Sequence, residues 1–248
     1  MHLVHKITVY IVLIIMAGSW CLAIDFCRIE SCHGVRHLGC HNSLTFHESC
    51  QLHRRMVNMQ YFHEYLIRIQ NRYRQDVASG AIQGLAPAQH MPELVWDSYL
   101  ALLAEYHVKR CLKDLTNLCV ATTDFDHPVL NYAVDWQPRQ FKEISNVQLM
   151  TQLTERWLHQ VFDIQTNDPD AAPAEIRNII NDYATYLGCA AGQDYDLRSS
   201  RFVLICYYSS GPEWGQELYR RGSFNVTHCS NGKSESYDNL CKTKPSNN

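Results

Sequence analysis

Side chains able to do chemistry cluster in three places. The segment CHGVRHLGCH brings together Cys32, His33, His37, Cys40 and His41, a donor set that in a reducing compartment would suit zinc. The step FHEYL, with His63-Glu64, is half of the HExxH arrangement that lets two imidazoles on one helical face hold a metal, and its second histidine is missing. The stretch EIRNIINDYATYLGC, Glu175 to Cys189, reads as a short helix running into a strand, and Glu175 is its one obvious acid–base or ligand candidate. No GxSxG turn, phosphate-binding loop or CxxC pair is present.

The compartment decides what the thiols can do. Residues 1–23 read as a signal peptide: a weakly basic start, the apolar run Ile7 to Ala17, then Cys21 and Ala23 as small residues two apart. A membrane span needs ~20 apolar residues, so an uncleaved anchor is the weaker alternative. The chain after residue 23 carries no second long apolar run and is expected to be secreted. Of 11 cysteines, Cys21 falls inside the signal, and the even remainder reads as disulfides in an oxidising compartment. The sequon at Asn225 is then available for a glycan. A net charge of −3 and a pI near 6.5 argue against a nucleic-acid partner.

These residues need elements to hold them. Phe62, Leu66, Ile69, Tyr73 and Val77 recur at helical steps, and Ser79-Gly80 supplies a stop. A second helix is capped by Asp97, with Leu100, Leu103, His107 and Cys111 on one stripe. A third opens with a Ser145–Gln148 capping box and turns Met150, Leu153, Trp157 and Val161 inward. Pro173 suits the first turn of a fourth. The segments ATYLGCAAG and SRFVLICYYSS read as paired strands around the polar turn QDYDLRS. A bridge between Cys189 and Cys206 would contribute about 3 kcal/mol in the chain-entropy model. Helices first and strands late predict an α+β domain. Arg54-Arg55 and Arg68, Arg72 and Arg74 read as solvated helix faces. The aromatic turn with Tyr207, Tyr208 and Trp214 is either a contact surface or ordinary strand packing.

Taken together, Asn71, Arg74, Ala78 and Gly80, then Trp96, Asp97, Leu100, Ala101, Ala104 and Cys111, then Gly188, Cys189, Cys206, Tyr208, Ser209 and Gly215 resemble the motifs of the CAP superfamily. This is the cysteine-rich secretory, antigen 5 and pathogenesis-related group, and the resemblance is closest to insect antigen 5-like secreted proteins. Gln70 stands where the first motif has a histidine. The resemblance implies a three-layer α-β-α sandwich over residues 24–222, followed by a polar C-terminal segment, residues 223–248. It also implies the pairs Cys27–Cys40, Cys32–Cys119, Cys50–Cys111 and Cys189–Cys206, with Cys229–Cys241 as a clip in the C-terminal segment.

Family members with an intact cleft present two histidines and two acids able to hold a divalent metal. Carried over by motif, those positions fall on Leu115, Leu130, Gln160 and Glu175. Leucine offers no lone pair, so the resemblance implies a degenerate metal site, no cofactor and no catalysis. His127 and His159 are weighed as replacement ligands, but one helical step turns His159 by ~100° from Gln160. What remains is a secreted scaffold that acts by contact. Its expected partner is an extracellular protein, or else a small lipid or sterol; a metal-dependent hydrolase is the rival that needs the missing ligands.

Overall fold

A computed structural model describes residues 24–111, 115–138, 144–164, 172–212 and 215–246; the expected signal segment 1–23 and Trp214 lie outside the described residues. Helix α1, His63–Ser79, buries Leu66 and Val77 completely and ends at Gly80, whose φ of 77° is the left-handed conformation glycine adopts without strain. Helix α2, Ser98–Arg110, starts where the Asp97 carboxylate accepts the Leu100 N–H at 2.8 Å. Helix α3, Asn146–His159, starts with Ser145 Oγ accepting the Gln148 N–H at 3.2 Å. Helix α4, Ala174–Ile180, has Pro173 at its N-cap, one residue outside the first turn, because its ψ of 144° is extended.

Five strands form one sheet: β1 His53–Met56, β2 Val95–Trp96, β3 Val129–Pro138, β4 Tyr186–Tyr195 and β5 Ser199–Tyr208. The order is β1-β4-β5-β3, antiparallel throughout, with β2 added in parallel beside the start of β4. Only β4 and β5 were expected. Two residues in β2 and the exposed HRRM of β1 are too short and too polar to show a period of two. The strands also run past the expected turn, leaving residues 196–198 as the connection, where Asp196 Oδ1 accepts the N–H groups of Arg198 and Ser199 at 2.7 and 2.8 Å. Arg54 and Arg55 are exposed, as expected, but on β1 and not on a helix.

The period of two sorts the side chains into layers. Ala190, Val203, Ile205 and Tyr207 face α2 through Leu100, Leu103, Ala104 and Val108. Cys189, Ala191, Phe202, Leu204 and Tyr208 face the opposite way, onto a cluster built with α1, α3 and α4. The result is a three-layer α-β-α sandwich. Gly188 permits the closest approach: a Cβ there would lie 2.1 Å from Ala101 N and 2.5 Å from Leu100 C. Disulfides join Cys27–Cys40, Cys32–Cys119, Cys50–Cys111, Cys189–Cys206 and Cys229–Cys241. Residues 223–246 fold back on the lead-in to β2, with Cys241 N–H on Met91 O at 2.8 Å, Glu93 N–H on Cys241 O at 2.9 Å and Leu240 fully buried.

One arginine departs from the sequence reading. Arg68 and Arg72 are exposed, whereas Arg74 is 0% exposed. Its Nε and Nη2 donate to Pro92 O at 2.9 and 2.7 Å, Nη1 to Ile179 O and Asn181 O at 2.7 and 2.8 Å, and Nη2 to Ala184 O at 3.0 Å. The solvated-face expectation fails because α1 turns this side chain toward the carbonyl ends of three chain segments. Burial pushes its pKa down to about 9, partly offset by Asp182, so it stays a cation at neutral pH.

Two outcomes follow. Arg74→Lys keeps a charge but offers three donors in place of the fork, and is expected to cost about 2–4 kcal/mol in denaturant unfolding; a loss below about 0.5 kcal/mol, the range of a surface change, would contradict this role. Gly188→Ala is expected to cost at least about 3 kcal/mol by the same measurement, since the added methyl meets backbone that cannot rotate away.

Candidate functional site

Glu175 sits in the first turn of α4, half-buried, and Gln160 follows directly on α3. Gln160 Nε2 donates to Glu175 Oε2 at 3.3 Å, and Gln160 Oε1 accepts the Ile176 N–H at 3.2 Å. The amide thus supplies a cap that Pro173 cannot, satisfying one of the orphan donors at the start of α4. Behind Glu175 a string of polar groups runs into the core. Asn131 Nδ2 donates to Glu175 O at 2.9 Å and to Tyr208 OH at 3.2 Å, and Tyr208 OH donates to Gln70 Oε1 at 2.8 Å. Asn178 Nδ2 donates to Asn131 Oδ1 at 2.9 Å and Leu130 O at 3.2 Å. Burial raises the Tyr208 pKa well above the usual phenol, so the hydroxyl keeps its proton and works only as a donor and acceptor. Gln70 Nε2 is buried with no partner among the described residues.

The four family positions do not converge. Gln160 and Glu175 touch. The side chain of Leu130 packs with the α2-facing cluster, and only its carbonyl meets Asn178. Leu115 packs on Phe26, Leu38 and Tyr106 in a separate cluster. The weighed replacements, His127 and His159, are exposed, the latter with its ring 6.3 Å from Phe162. Sequence reasoning gave Gln70 and Tyr208 as motif positions and assigned no role to Asn131 or Asn178; the signal for Asn178 was an amide set among Ile176, Ile179 and Ile180 on one short helix.

The N-terminal donors are committed elsewhere. Cys27, Cys32 and Cys40 are in disulfides, which removes the thiolates from the one grouping of possible metal donors among the described residues, Cys27, Cys40 and His41. His37 is buried and stacks on Phe26 with ring centroids 4.9 Å apart. Gly39 N–H donates to its Nδ1 at 2.9 Å, which leaves Nε2–H to donate to Ala121 O at 2.8 Å. Burial lowers its pKa against the raising effect of Ala121, so it is a neutral structural imidazole. His63 lies beside Trp96, ring centroids 5.6 Å apart, and Glu64 is exposed. Tyr207 and Tyr208 are fully buried, because β5 is an inner strand covered on both faces; they pack and form no contact surface.

A separate groove of about 670 Å³ opens between β1, the first turns of α1 and α2, and β4. Met56, Met59, Trp96, Leu102 and Ala190 make its walls largely apolar, with His63 and Glu105 among the polar groups that line it.

Comparison with known proteins places the chain. A model of the cysteine-rich secretory protein family, CAP, matches residues 67–208, and the chain belongs to that family. Tabinhibitin 7 of Tabanus yao is 31% identical over 230 residues, covering 90% of this chain and 89% of that one. Venom allergen-1 of Aedes aegypti is 26% identical over 250 residues, covering 97% of this chain and 95% of that one. Among solved structures, BmVAL-1 superposes with a TM-score of 0.60 at 13% identity, over 79% of this chain and 99% of that one, which is a likeness of fold.

A zinc site of the family kind needs three or four lone-pair donors within ~2.0–2.3 Å of one ion. Here two positions are hydrocarbon and packed in different clusters, and the amide aims its N–H at the one carboxylate. The donor set does not fit the ion. If Gln160 is a cap and not a ligand, Gln160→Ala costs about 1 kcal/mol of stability and leaves zinc affinity where it was; calorimetric titration with zinc and a denaturation curve read the two effects separately.

Proposed function

We propose that this protein is a secreted, non-catalytic binding protein on the CAP scaffold, a component of an insect secretion such as saliva, venom or reproductive-tract fluid, acting on an extracellular protein partner. The observation that carries the reading is the Gln160–Glu175 contact: the polar groups left at the family cleft spend themselves on each other and on the backbone of α4. A hydrolase would need a metal or an activated nucleophile there, and Asn131, Asn178, Gln160 and Tyr208 supply neither at neutral pH. The similarity to venom allergen-1 of Aedes aegypti and the tabinhibitins of Tabanus yao, all insect proteins, supports the setting. Residues 1–23 act in this reading as the removable signal. Asn225, exposed and with its Oδ1 accepting from Thr227 Oγ1 at 2.8 Å, is the acceptor of an N-linked glycan.

The groove at Met56, Trp96 and Ala190 favours one second reading, the carriage of a small lipid or sterol. The protein purified from an insect secretory host distinguishes these. It is expected to begin at residue 24 by mass, to lose mass on endoglycosidase treatment, to hold no stoichiometric zinc, and to keep its unfolding midpoint in chelator. Cross-linking in the secreted fluid is expected to recover one protein partner; an apolar molecule extracted at one per chain, with no protein recovered, selects the carrier instead. Stoichiometric zinc lost to chelator together with a hydrolytic activity would end both readings.

A further inference from the structure

A small cavity of about 150 Å³ lies between the N-terminal disulfide region and the last turn of α2. Its lining includes the guanidinium-bearing Arg36 and Arg110, the imidazoles of His41 and His47, and the hydroxyls of Ser43 and Thr45. No carboxylate lines it among the described residues. Neither arginine takes part in an ion pair among those residues. Arg36 donates weakly to Cys40 O at 3.5 Å, and Arg110 Nε is buried with no partner among the described residues.

That arrangement is unbalanced. Two like charges line one small concavity with nothing opposite in sign among the described residues, and a buried guanidinium N–H without an acceptor carries the desolvation cost of an unmade hydrogen bond. The carbonyls at the end of α2 do not repair it, because other donors occupy them. His47 N–H takes Lys109 O at 2.9 Å, Ser49 Oγ–H takes Arg110 O at 3.1 Å and Cys111 N–H takes Val108 O at 3.1 Å. Those same bonds, with the Cys50–Cys111 and Cys27–Cys40 disulfides, fix both walls. Among the described residues the cavity lacks an acceptor with negative charge and several lone pairs.

We infer that this cavity binds a tetrahedral oxyanion, the sulfate group that is shared by free sulfate and sulfated saccharides. Arginine forks match two oxygens of such a group, hydroxyl and imidazole N–H donors serve the others, and the compact volume admits the head group and leaves any sugar outside the mouth. The site is separate from the Gln160–Glu175 cleft and does not depend on the reading given to it.

Titration calorimetry on the full chain tests this, with sodium sulfate against sodium chloride at matched ionic strength, and a sulfated disaccharide against its desulfated form. One sulfate is expected to bind per chain, and chloride is not expected to replace it. Arg36→Gln/Arg110→Gln is expected to weaken binding at least tenfold, about the effect of one lost charge-assisted hydrogen bond. Arg68→Gln/Arg72→Gln on exposed α1 is expected to bind as the unaltered protein does. Sulfate alone binding assigns the free ion; binding of the sulfated and not the desulfated disaccharide assigns the saccharide. Equal responses to sulfate and chloride, or an equal loss in the Arg68/Arg72 variant, would overturn the inference. Should the Arg36/Arg110 variant misfold, selenate soaked into crystals of the unaltered protein gives the same decision: an anomalous peak between Arg36 and Arg110 supports it, and a cavity without one refutes it.

Discussion

The fold turns on one buried guanidinium. Arg74, on α1, collects carbonyls from the lead-in to β2, the end of α4 and the lead-in to β4, none of which a sheet or helix would otherwise satisfy. A cation at the end of α4 also opposes the partial negative charge of its last carbonyls. One turn earlier, Asn71 reads the backbone of Leu94 on both sides, accepting from its N–H at 2.7 Å and donating to its C=O at 2.9 Å. Together these two side chains hold loops that could not be buried with their polar groups bare.

The geometry of the cleft follows from that junction. Where α4 ends sets where it begins, and so where Glu175 and Asn178 point. Where β4 begins sets Gly188 against α2, the contact that lets helix backbone approach strand backbone without an intervening side chain. Ser209 completes the corner, its Oγ accepting the N–H groups of Thr185 and Tyr186 at 3.0 and 3.1 Å. The polar string from Gln70 to Glu175 lies in the space left between α1, α4 and the sheet, and its members are amides and a phenol that donate and accept without ionising.

The polar groups at the cleft thus serve connectivity, bonding to one another and to the start of α4, and the margins are held covalently. The Cys32–Cys119 and Cys50–Cys111 bridges close 87 and 61 residues, loops long enough for each to lower the entropy of the unfolded chain by about 4 kcal/mol equivalent. Residues 223–246 seal the other side, where Ser246 Oγ–H reaches the second oxygen of the Asp97 cap at 2.6 Å. A framework closed on both sides leaves its outer loops free to vary in shape and charge.

The amino-acid sequence by itself determined the features whose cause is local. Three helix starts and stops could be read from Asp97, Ser145 and Gly80, because a cap is a contact between residues three or four apart. The core stripes of α1, α2 and α3 and the pairing of β4 with β5 were legible because period alone sorts side chains between water and interior. That Leu130, a hydrocarbon, and Gln160, a neutral amide, offer a metal little could be read from residue type alone. Only the tertiary structure decided that Arg74 is buried, that β1, β2 and β3 join the sheet, and that Gln160 and Glu175 meet while Leu115 and Leu130 go elsewhere. Arg74 looks like its exposed neighbours Arg68 and Arg72 in composition and spacing. What separates it is a set of carbonyls 18 to 110 residues away, and a hydrogen bond across that distance leaves no mark on the local pattern.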